Sequence, residues 1–161
     1  MTTRKLPRTL RLDSSDLYVF KAAAEPGEWA VSGAFAFVDG DLAALDSKDK
    51  LALASGWLGT DSFGRSSLVE VAEIEDAGYF AVVERLARHF IEIYGAPGLA
   101  EALPAARAEV DDASGLCTHK TGTLLAVERD LDEDGRLRER FRVIRPERAD
   151  DHAKIWEIVE D

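Results

Sequence analysis

Four arginines at every second position are the strongest sign of chemistry in the sequence. They are Arg136, Arg138, Arg140 and Arg142. On one β-strand these side chains all point to the same face, because successive residues of a strand face opposite sides. A row of guanidinium groups is suited to bind anions, so the spacing taken alone predicts an anion-binding or RNA-binding stripe.

The residues before the arginines favour a different interpretation. A three-residue loop from Glu133 to Gly135, with Gly135 in the left-handed conformation, sets a hairpin register that brings carboxylates opposite the arginines. This register pairs Asp132 with Arg136, Asp130 with Arg138 and Glu128 with Arg140. On the other face it pairs Leu131 with Leu137, Val127 with Phe141, Leu125 with Val143 and Arg129 with Glu139.

A two-residue turn over Asp134 and Gly135 is the alternative register. It would set Arg140 against Arg129, and like charges directly opposite each other destabilise a strand pair. We therefore predict the three-residue loop and a ladder of exposed salt bridges, which are individually weak. Three arginines are left without a predicted carboxylate and form a basic corner that could hold one anionic group: Arg142, Arg145 and Arg148.

Polar and aromatic residues near predicted strand ends and loops indicate a possible small-molecule pocket. These residues are Trp29, Arg65, Ser66, His119 and Thr121. The hydroxyl groups of Ser66 and Ser67 beside the Arg65 guanidinium can bind a carboxylate or a phosphate. The stretch 56–67 is not a phosphate loop, because it lacks the Gly-Lys-Ser/Thr ending and precedes a predicted strand.

The histidines and the single cysteine show no metal-ligand spacing. Cys117 and His119 lie two residues apart, and no second close pair completes a zinc motif. We expect no metal and no cofactor, and Cys117 is predicted to be a small buried residue. Whether Cys117 and His119 face a common site stays open.

The periodicity of apolar residues predicts the elements that must position these groups. Strands are predicted at 6–12, 17–21, 29–38 and 63–74, with 29–38 as the central strand. Helices are predicted from Asp46 or Ser47 to Ser55 and at 76–94. Pro104 is expected to separate a short turn at 99–103 from a new helix. A hairpin is predicted over 123–145, and 150–160 fits a helix slightly better than a strand.

These elements predict a single α+β domain over residues 1–161. Their order is β-β-β-(α)-β-α-α-β-β-α. Strands grouped before and after paired helices indicate an antiparallel sheet of about six strands with two main helices packed on one face.

Composition limits the classes of function. The 161 residues include 31 acidic and 20 basic side chains, for a formal net charge of −11. This balance argues against a general nucleic-acid or anionic-membrane binder, because phosphate affinity needs concentrated Lys and Arg. No secretory signal is apparent and no apolar run approaches the length of a membrane span. A cytoplasmic location is therefore expected.

Three stretches together resemble an uncharacterised family. They are Glu25 to Phe37, Ser62-Phe63-Gly64, and Leu116-Cys117 with His119 and Gly122-Thr123-Leu124. The chain is similar over nearly its whole length to short proteobacterial hypothetical proteins of about 160 residues, classed as a domain of unknown function. The resemblance implies a proteobacterial cytoplasmic protein and supplies neither an activity nor catalytic residues.

The function expected from the sequence is that of a non-enzymatic accessory or protein-binding module. No nucleophile–base pair, nucleotide loop or carboxylate pair is recognisable. The alternative is a small enzyme or small-molecule-binding protein with a pocket near Trp29, Arg65 and His119. A protein partner or self-association is expected, because a sheet covered by helices on one face leaves its other face or an edge available.

Overall fold

A computed structural model describes residues 4–37, 42–146 and 156–160 of the chain. Its strands are β1 Arg4–Leu10, β2 Ala30–Val31, β3 Trp57–Gly59, β4 Arg65–Ser66, β5 Leu68–Ile74, β6 Leu124–Leu131, β7 Leu137–Pro146 and β8 Trp156–Glu160. Its helices are α1 Ser15–Val19, α2 Ser47–Ser55, α3 Asp76–Tyr94 and α4 Leu99–Gly115. Two 3-10 turns, Ala34–Phe37 and Leu42–Ala44, lie between β2 and α2.

The strands form two sheets, which confirms the α+β class and corrects the predicted single sheet of about six strands. In the larger sheet, β1, β5, β6 and β7 are consecutive antiparallel neighbours, and β8 pairs with the outer side of β7. The smaller sheet has the order β2-β3-β4. Backbone hydrogen bonds between Thr9 and the residues Gly27 and Glu28 join β1 to the segment that enters β2.

The smaller sheet packs over one face of the larger one. Ala30 and Trp57 of the small sheet share a buried cluster with Val69, Leu125 and Val143 of the large sheet. This packing explains why β2 and β3 alternate between two apolar environments. Their other face, through Val31 and Leu58, contacts the helices.

Helices α3 and α4 form a second core with residues of both sheets. They pack on Leu6, Val31, Leu58 and Ile74. The predicted helix at 76–94 is confirmed, and Gly95 ends it in the left-handed conformation at φ 75°. The helix predicted from Asp46 or Ser47 is also confirmed, because the Asp46 side chain caps α2 by accepting from the Asp49 N–H.

The predicted central strand at 29–38 is wrong over residues 29–37, and residue 38 lies outside the described residues. The strand is only two residues long, Ala30–Val31, and the chain then turns at Gly33, which has φ +80°. A Cβ at this glycine would lie 2.6 Å from Nη1 of Arg65, so the glycine also leaves room for the Arg65 side chain. The apolar residues of 29–37 serve three buried clusters: Ala30 lies between the sheets, Val31 lies against the helices, and Phe37 lies in a third cluster.

Three further predictions are corrected. Residues 15–19 form helix α1 instead of a strand, since the Asp13 side chain accepts from the Ser15 N–H and starts a turn. Helix α4 continues through Pro104, because Ala102 and Ala106 are buried and anchor the helix on both sides of the missing N–H. Residues 156–160 form β8 instead of a helix, since β7 is long enough to offer an open edge. Residues 150–155 lie outside the described residues.

The hairpin register is confirmed in full. The main-chain partners are Glu128 with Arg140, Arg129 with Glu139, Asp130 with Arg138 and the three predicted apolar pairs. Gly135 has φ +77°, and the Asp132 N–H donates to the Arg136 carbonyl at 2.8 Å. Charge pairing and turn chemistry therefore agree on one register. None of the described helices is both long and apolar enough to span a membrane.

Candidate functional site

A buried arginine joins three parts of the chain at the end of helix α2. The side chain of Arg129 is fully buried, and its Nε donates to Oε2 of Glu139 at 2.7 Å. Its terminal nitrogens donate to the carbonyls of Ala52, Leu53, Gly56 and Ser32. A cation is stabilised by the partial negative charge at the C-terminus of a helix. Arg129 therefore fixes the end of α2 and the turn after β2 to the hairpin.

A second guanidinium lies close to the first. Nη1 of Arg65 donates to the Gly56 carbonyl at 3.2 Å, and Arg129 donates to the same oxygen at 2.9 Å. The Arg65 guanidinium also lies 4.9 Å from the centre of the Phe37 ring, a cation–π distance. Burial, and then repulsion from Arg129, lowers the pKa of Arg65 to about 10.

Glu139 forms part of the wall of an acidic cleft of about 530 Å³. The cleft lies between the turn after β2, the last two turns of α4, and β7. Two more carboxyl side chains, Glu109 and Asp112 of α4, line it. The other lining residues are small or apolar apart from one hydroxyl: Ser32, Ala34, Phe35, Ala113, Leu116 and Phe141. Three carboxyl groups thus surround a largely apolar cleft, which we call the acidic cleft.

The charges of the acidic cleft are not balanced within it. Burial, and then the negative charges of Asp112 and Glu139, raises the pKa of Glu109 above its ordinary value of 4.5. In the described part of the chain, neither Glu109 nor Asp112 has an ion-pair partner. An added cation would supply the missing opposite charge.

A larger cleft of about 730 Å³ lies on the other side of Glu139. It is bounded by Ala54 and Ser55 at the end of α2 and by hairpin residues 128–130 and 138–140. Each of its carboxylates is already paired with an arginine of the same hairpin. The acidic cleft is therefore the better candidate site, although it is smaller.

Glu28 is a buried carboxylate that ties two of the family-like stretches together. It accepts the N–H groups of Asp61 and Ser62 at 2.9 and 2.7 Å, the Ser62 hydroxyl at 2.7 Å and the Glu25 N–H at 2.7 Å. Burial alone would raise the pKa of Glu28, and the hydrogen bonds from Ser62, Glu25 and Asp61 lower it below the ordinary value. Glu28 thus holds the loop before β4, in which Phe63 adopts a positive φ of 56°.

The residues predicted to share a small-molecule pocket have separate contacts. Arg65 and Ser66 donate to main-chain carbonyls, which for Ser66 are those of Leu10 and Leu68. A ligand at these groups would compete with the protein's own acceptors. The shared pocket stays a prediction.

The other members of that predicted pocket lie along β1 and after α4. The Trp29 ring lies 5.6 Å from the Arg8 guanidinium carbon. Nζ of Lys5 donates to the His119 carbonyl at 2.8 Å, and Thr121 is exposed. The Ser67 N–H and hydroxyl bind a carboxylate, as the sequence allows, but it is the buried Asp16 of the same chain.

The predicted basic corner is corrected at Arg142. Its Nε lies 3.3 Å from Oε1 of Glu128, so Arg142 does have a carboxylate neighbour. The main-chain register of β7 and β8 also sets Arg142 opposite Glu160 and Arg145 opposite Glu157. Arg148 lies outside the described residues, and an anion site at this corner stays a prediction.

Cys117 is buried, as predicted, and burial raises its pKa to about 12. A thiol with this pKa is a poor nucleophile at neutral pH. The His89 ring stacks on Phe63 with ring centres 3.7 Å apart, and burial lowers the pKa of His89. Within the described residues, no group of three or more His, Cys, Asp or Glu side chains is arranged to hold a metal ion.

The predicted hairpin register paired Arg129 with Glu139, but it did not predict that Arg129 is buried and joins the end of α2 to the hairpin. A signal was present, because Arg129 continues the alternation of Leu125 and Val127 and so falls on the core side of its strand. A charged residue at a core position requires buried partners. Glu109 and Asp112 gave no comparable signal, since an acidic pair three residues apart on a helix is ordinary for a solvated face.

Comparison with known proteins places the chain in a family without an assigned activity. The model of a family described as "Family of unknown function (DUF6505)" matches residues 3–159, and the chain belongs to that family. No curated protein and no solved structure matches the chain.

Proposed function

We propose that this member of a family of unknown function is a non-enzymatic accessory protein. It binds a protein partner by accepting a cationic side chain of that partner. The observation that supports the proposal is the acidic cleft, where Glu109, Asp112 and Glu139 line a largely apolar space of about 530 Å³. A site of this kind suits a group that is charged at one end and apolar along its length.

A lysine or arginine side chain of the partner meets both requirements. Its methylene stem can pack on Phe35 and Leu116 while its charged end reaches the carboxylates. The negative net charge of the chain would also attract a basic partner at long range. A metal ion is a poorer fit, because the carboxyl groups of the described residues are not arranged to hold one.

Binding of a model peptide tests this proposal. Acetyl-Leu-Lys-Leu-amide is titrated into the protein and compared with the same peptide carrying norleucine in place of lysine. We expect the lysine peptide to shift the amide NMR signals of residues 109–116, and the norleucine peptide to leave them unchanged. A Glu109→Gln/Asp112→Asn variant should lose the response, because two of the three carboxylates are removed.

Glu101→Gln is the matched control for this variant. Glu101 is an exposed carboxylate on the same helix and lies in its first turn, away from the cleft. The control should retain the response to the lysine peptide. Equal responses to the lysine and norleucine peptides, or a loss of response in the control, would contradict the proposal.

The pH dependence of binding is a second test. The ligand cation pairs with ionised Glu109, and the pKa of Glu109 is raised, first by burial. Peptide affinity should therefore rise as the pH increases from 4.5 through the raised pKa. Glu109→Gln should remove this part of the profile, whereas a profile unaffected by the variant would exclude Glu109 from the site.

A small enzyme or small-molecule-binding protein is the second candidate. It is favoured by the raised pKa of Glu109 beside other carboxylates, an arrangement suited to proton transfer. Native purification from the host, followed by mass spectrometry of co-purifying proteins and metabolites, separates the two. A bound amine metabolite would favour this candidate, and a basic protein in stoichiometric amount would favour the accessory protein.

Self-association in the cytoplasm is a further part of the proposal. Phe80, Leu99 and Leu103 are exposed on α3 and α4, and apolar side chains of this size are common at subunit interfaces. Sedimentation at micromolar concentration should show a dimer. A strictly monomeric profile would contradict self-association and leave the acidic cleft unaffected.

A further inference from the structure

The carboxyl groups of the acidic cleft lie on two walls and differ in exposure. Glu109 and Asp112 belong to α4, and Glu139 belongs to β7. Asp112 is exposed, whereas Glu109 and Glu139 are half-buried. A cation that reaches groups on both walls must offer hydrogen-bond donors in more than one direction.

Glu139 keeps one oxygen available to a ligand. Its Oε2 accepts hydrogen bonds from Nε of Arg129 and from the Ser32 hydroxyl. No described residue donates a hydrogen bond to Oε1, and the side chain retains partial exposure. Because the contacts at Oε2 fix the orientation of the carboxylate, Oε1 is an acceptor of fixed position.

Two phenyl rings line the acidic cleft, and each is held by aromatic neighbours. The Phe35 ring packs edge to face on Phe90 and Tyr94, with ring centres 4.9 and 5.6 Å away. The Phe141 ring lies 5.5 Å from that of Trp57. A guanidinium is planar and stacks on aromatic rings, whereas an ammonium is a compact and strongly hydrated charge. The rings therefore favour arginine over lysine.

Arginine already occupies this kind of environment elsewhere in the chain. The Arg65 guanidinium lies 4.9 Å from the centre of the Phe37 ring. Arg107 lies 5.2 Å from the centre of the Phe80 ring, and its Nε is 3.5 Å from Oδ2 of Asp111 on α4. One guanidinium thus contacts a phenyl ring and a carboxylate of α4 together. A guanidinium is also more weakly hydrated than an ammonium, so it loses less on entering a largely apolar space.

We propose that the acidic cleft selects arginine over lysine, a proposal that rests on the function proposed above and names the side chain of the partner. The guanidinium stacks on Phe35 and donates from one edge to Oε1 of Glu139. Its other edge donates to the carboxylates of Glu109 and Asp112. Lysine supplies the same charge but neither the flat face nor the fork of donors.

Titration of three peptides tests the selection. Acetyl-Leu-Arg-Leu-amide and the corresponding lysine and citrulline peptides are added to the full chain, and their affinities are measured from the amide NMR signals of residues 109–116. Citrulline keeps the planar end of arginine but is uncharged. We expect arginine to bind about tenfold more tightly than lysine, and citrulline to bind no better than norleucine. Equal affinities for arginine and lysine would overturn the selection and leave the proposed function in place.

A trimethyl-lysine peptide tests whether the rings alone recognise the cation. Trimethyl-lysine is charged but has no N–H donor, so we expect it to bind more weakly than arginine. Tighter binding of trimethyl-lysine would overturn the proposal, since the fork of donors would then be irrelevant. If neither arginine nor lysine binds better than norleucine, the proposed function fails, and the selection fails with it.

Phe35→Leu measures the contribution of the ring. The variant keeps an apolar side chain and all three carboxyl groups, so we expect the preference for arginine over lysine to fall by about threefold, as for one lost cation–π contact. A merely structural effect would weaken both peptides alike. Phe80→Leu is the matched control, since Phe80 is an exposed phenyl group of α3 that does not line the cleft, and it should keep the full preference. An unchanged preference in Phe35→Leu, or an equal loss in Phe80→Leu, overturns the proposal.

Discussion

The β6–β7 hairpin carries arginine–carboxylate pairs on both of its faces, and the two faces differ in what surrounds them. On the outer face, Arg138 and Asp130 are 2.8 Å apart, and their side chains are 60% and 62% exposed. On the inner face, Arg129 and Glu139 are 2.7 Å apart, with exposures of 0% and 25%. The residue types and distances are alike, so only the environment distinguishes them.

The inner pair acts as a structural junction, whereas the outer pairs mainly favour one register. Arg129 holds the end of α2, the turn at Ser32 and the wall of the acidic cleft, and its own side chain is shielded from water. Arg138 has Asp130 as its partner and is otherwise solvated. Position relative to the core, more than pair geometry, thus determines the role of an ion pair.

Arg129→Gln gives the largest expected effect. The substitution leaves Glu139 partly buried without its cation and leaves several main-chain carbonyls of the α2 end without donors. We expect the free energy of unfolding to fall by about 3–5 kcal/mol, measured by urea denaturation. Arg138→Gln on the outer face is the matched control and should lower the free energy of unfolding by less than about 1 kcal/mol. Similar losses in the two variants would remove the distinction between the faces.

The hairpin was the most predictable part of the fold. Its register depends on neighbouring residues of one continuous segment, and turn chemistry and charge pairing favour the same solution. Helix α3 was the next most predictable element, since its apolar period runs over 19 residues and ends at a glycine.

Segments whose environment is set by distant residues were not predictable. The alternation at 29–37 indicated a strand, but Gly33 turns the chain to make room for Arg65, which is 32 residues away. The acidic cleft depends in the same way on the packing of α4 beside β7. The sequence provided the residues of the cleft but no signal that brought Glu109 near Glu139.

Ser32→Ala tests the inner face with a smaller change. The Ser32 hydroxyl donates to Glu139 at 2.5 Å and accepts from Nη2 of Arg129 at 3.2 Å. Its loss should lower the free energy of unfolding by about 1–2 kcal/mol, because hydrogen bonds to charged groups are stronger than neutral ones. Ser55→Ala removes an exposed hydroxyl that donates to the Leu51 carbonyl, and it should have little effect in the same denaturation experiment.

Gly135→Ala tests the turn that both faces share. Gly135 has φ +77°, and an added Cβ would meet no atom within 4 Å, so only the backbone conformation is penalised. We expect a loss of about 1 kcal/mol in the free energy of unfolding. Gly115→Ala is the control, because its Cβ would also be in open space and its φ is not positive. A loss in the control as large as that in Gly135→Ala would contradict a conformational cause.

The smallest effect is expected for the outer pair of Arg138 and Asp130. The hydrogen bond from Arg138 lowers the pKa of Asp130 below its ordinary value of 3.8. The contribution of this ion pair to the free energy of unfolding is therefore fully present above pH 3.8 and is lost as the pH falls through the lower folded pKa of Asp130.

A double-mutant cycle of Arg138→Gln and Asp130→Asn should give a small coupling energy that disappears at high salt. The corresponding cycle of Arg129→Gln and Glu139→Gln should give a larger coupling that salt hardly changes, because water and ions do not reach the inner guanidinium. Equal salt dependence of the two cycles would show that burial does not separate the faces.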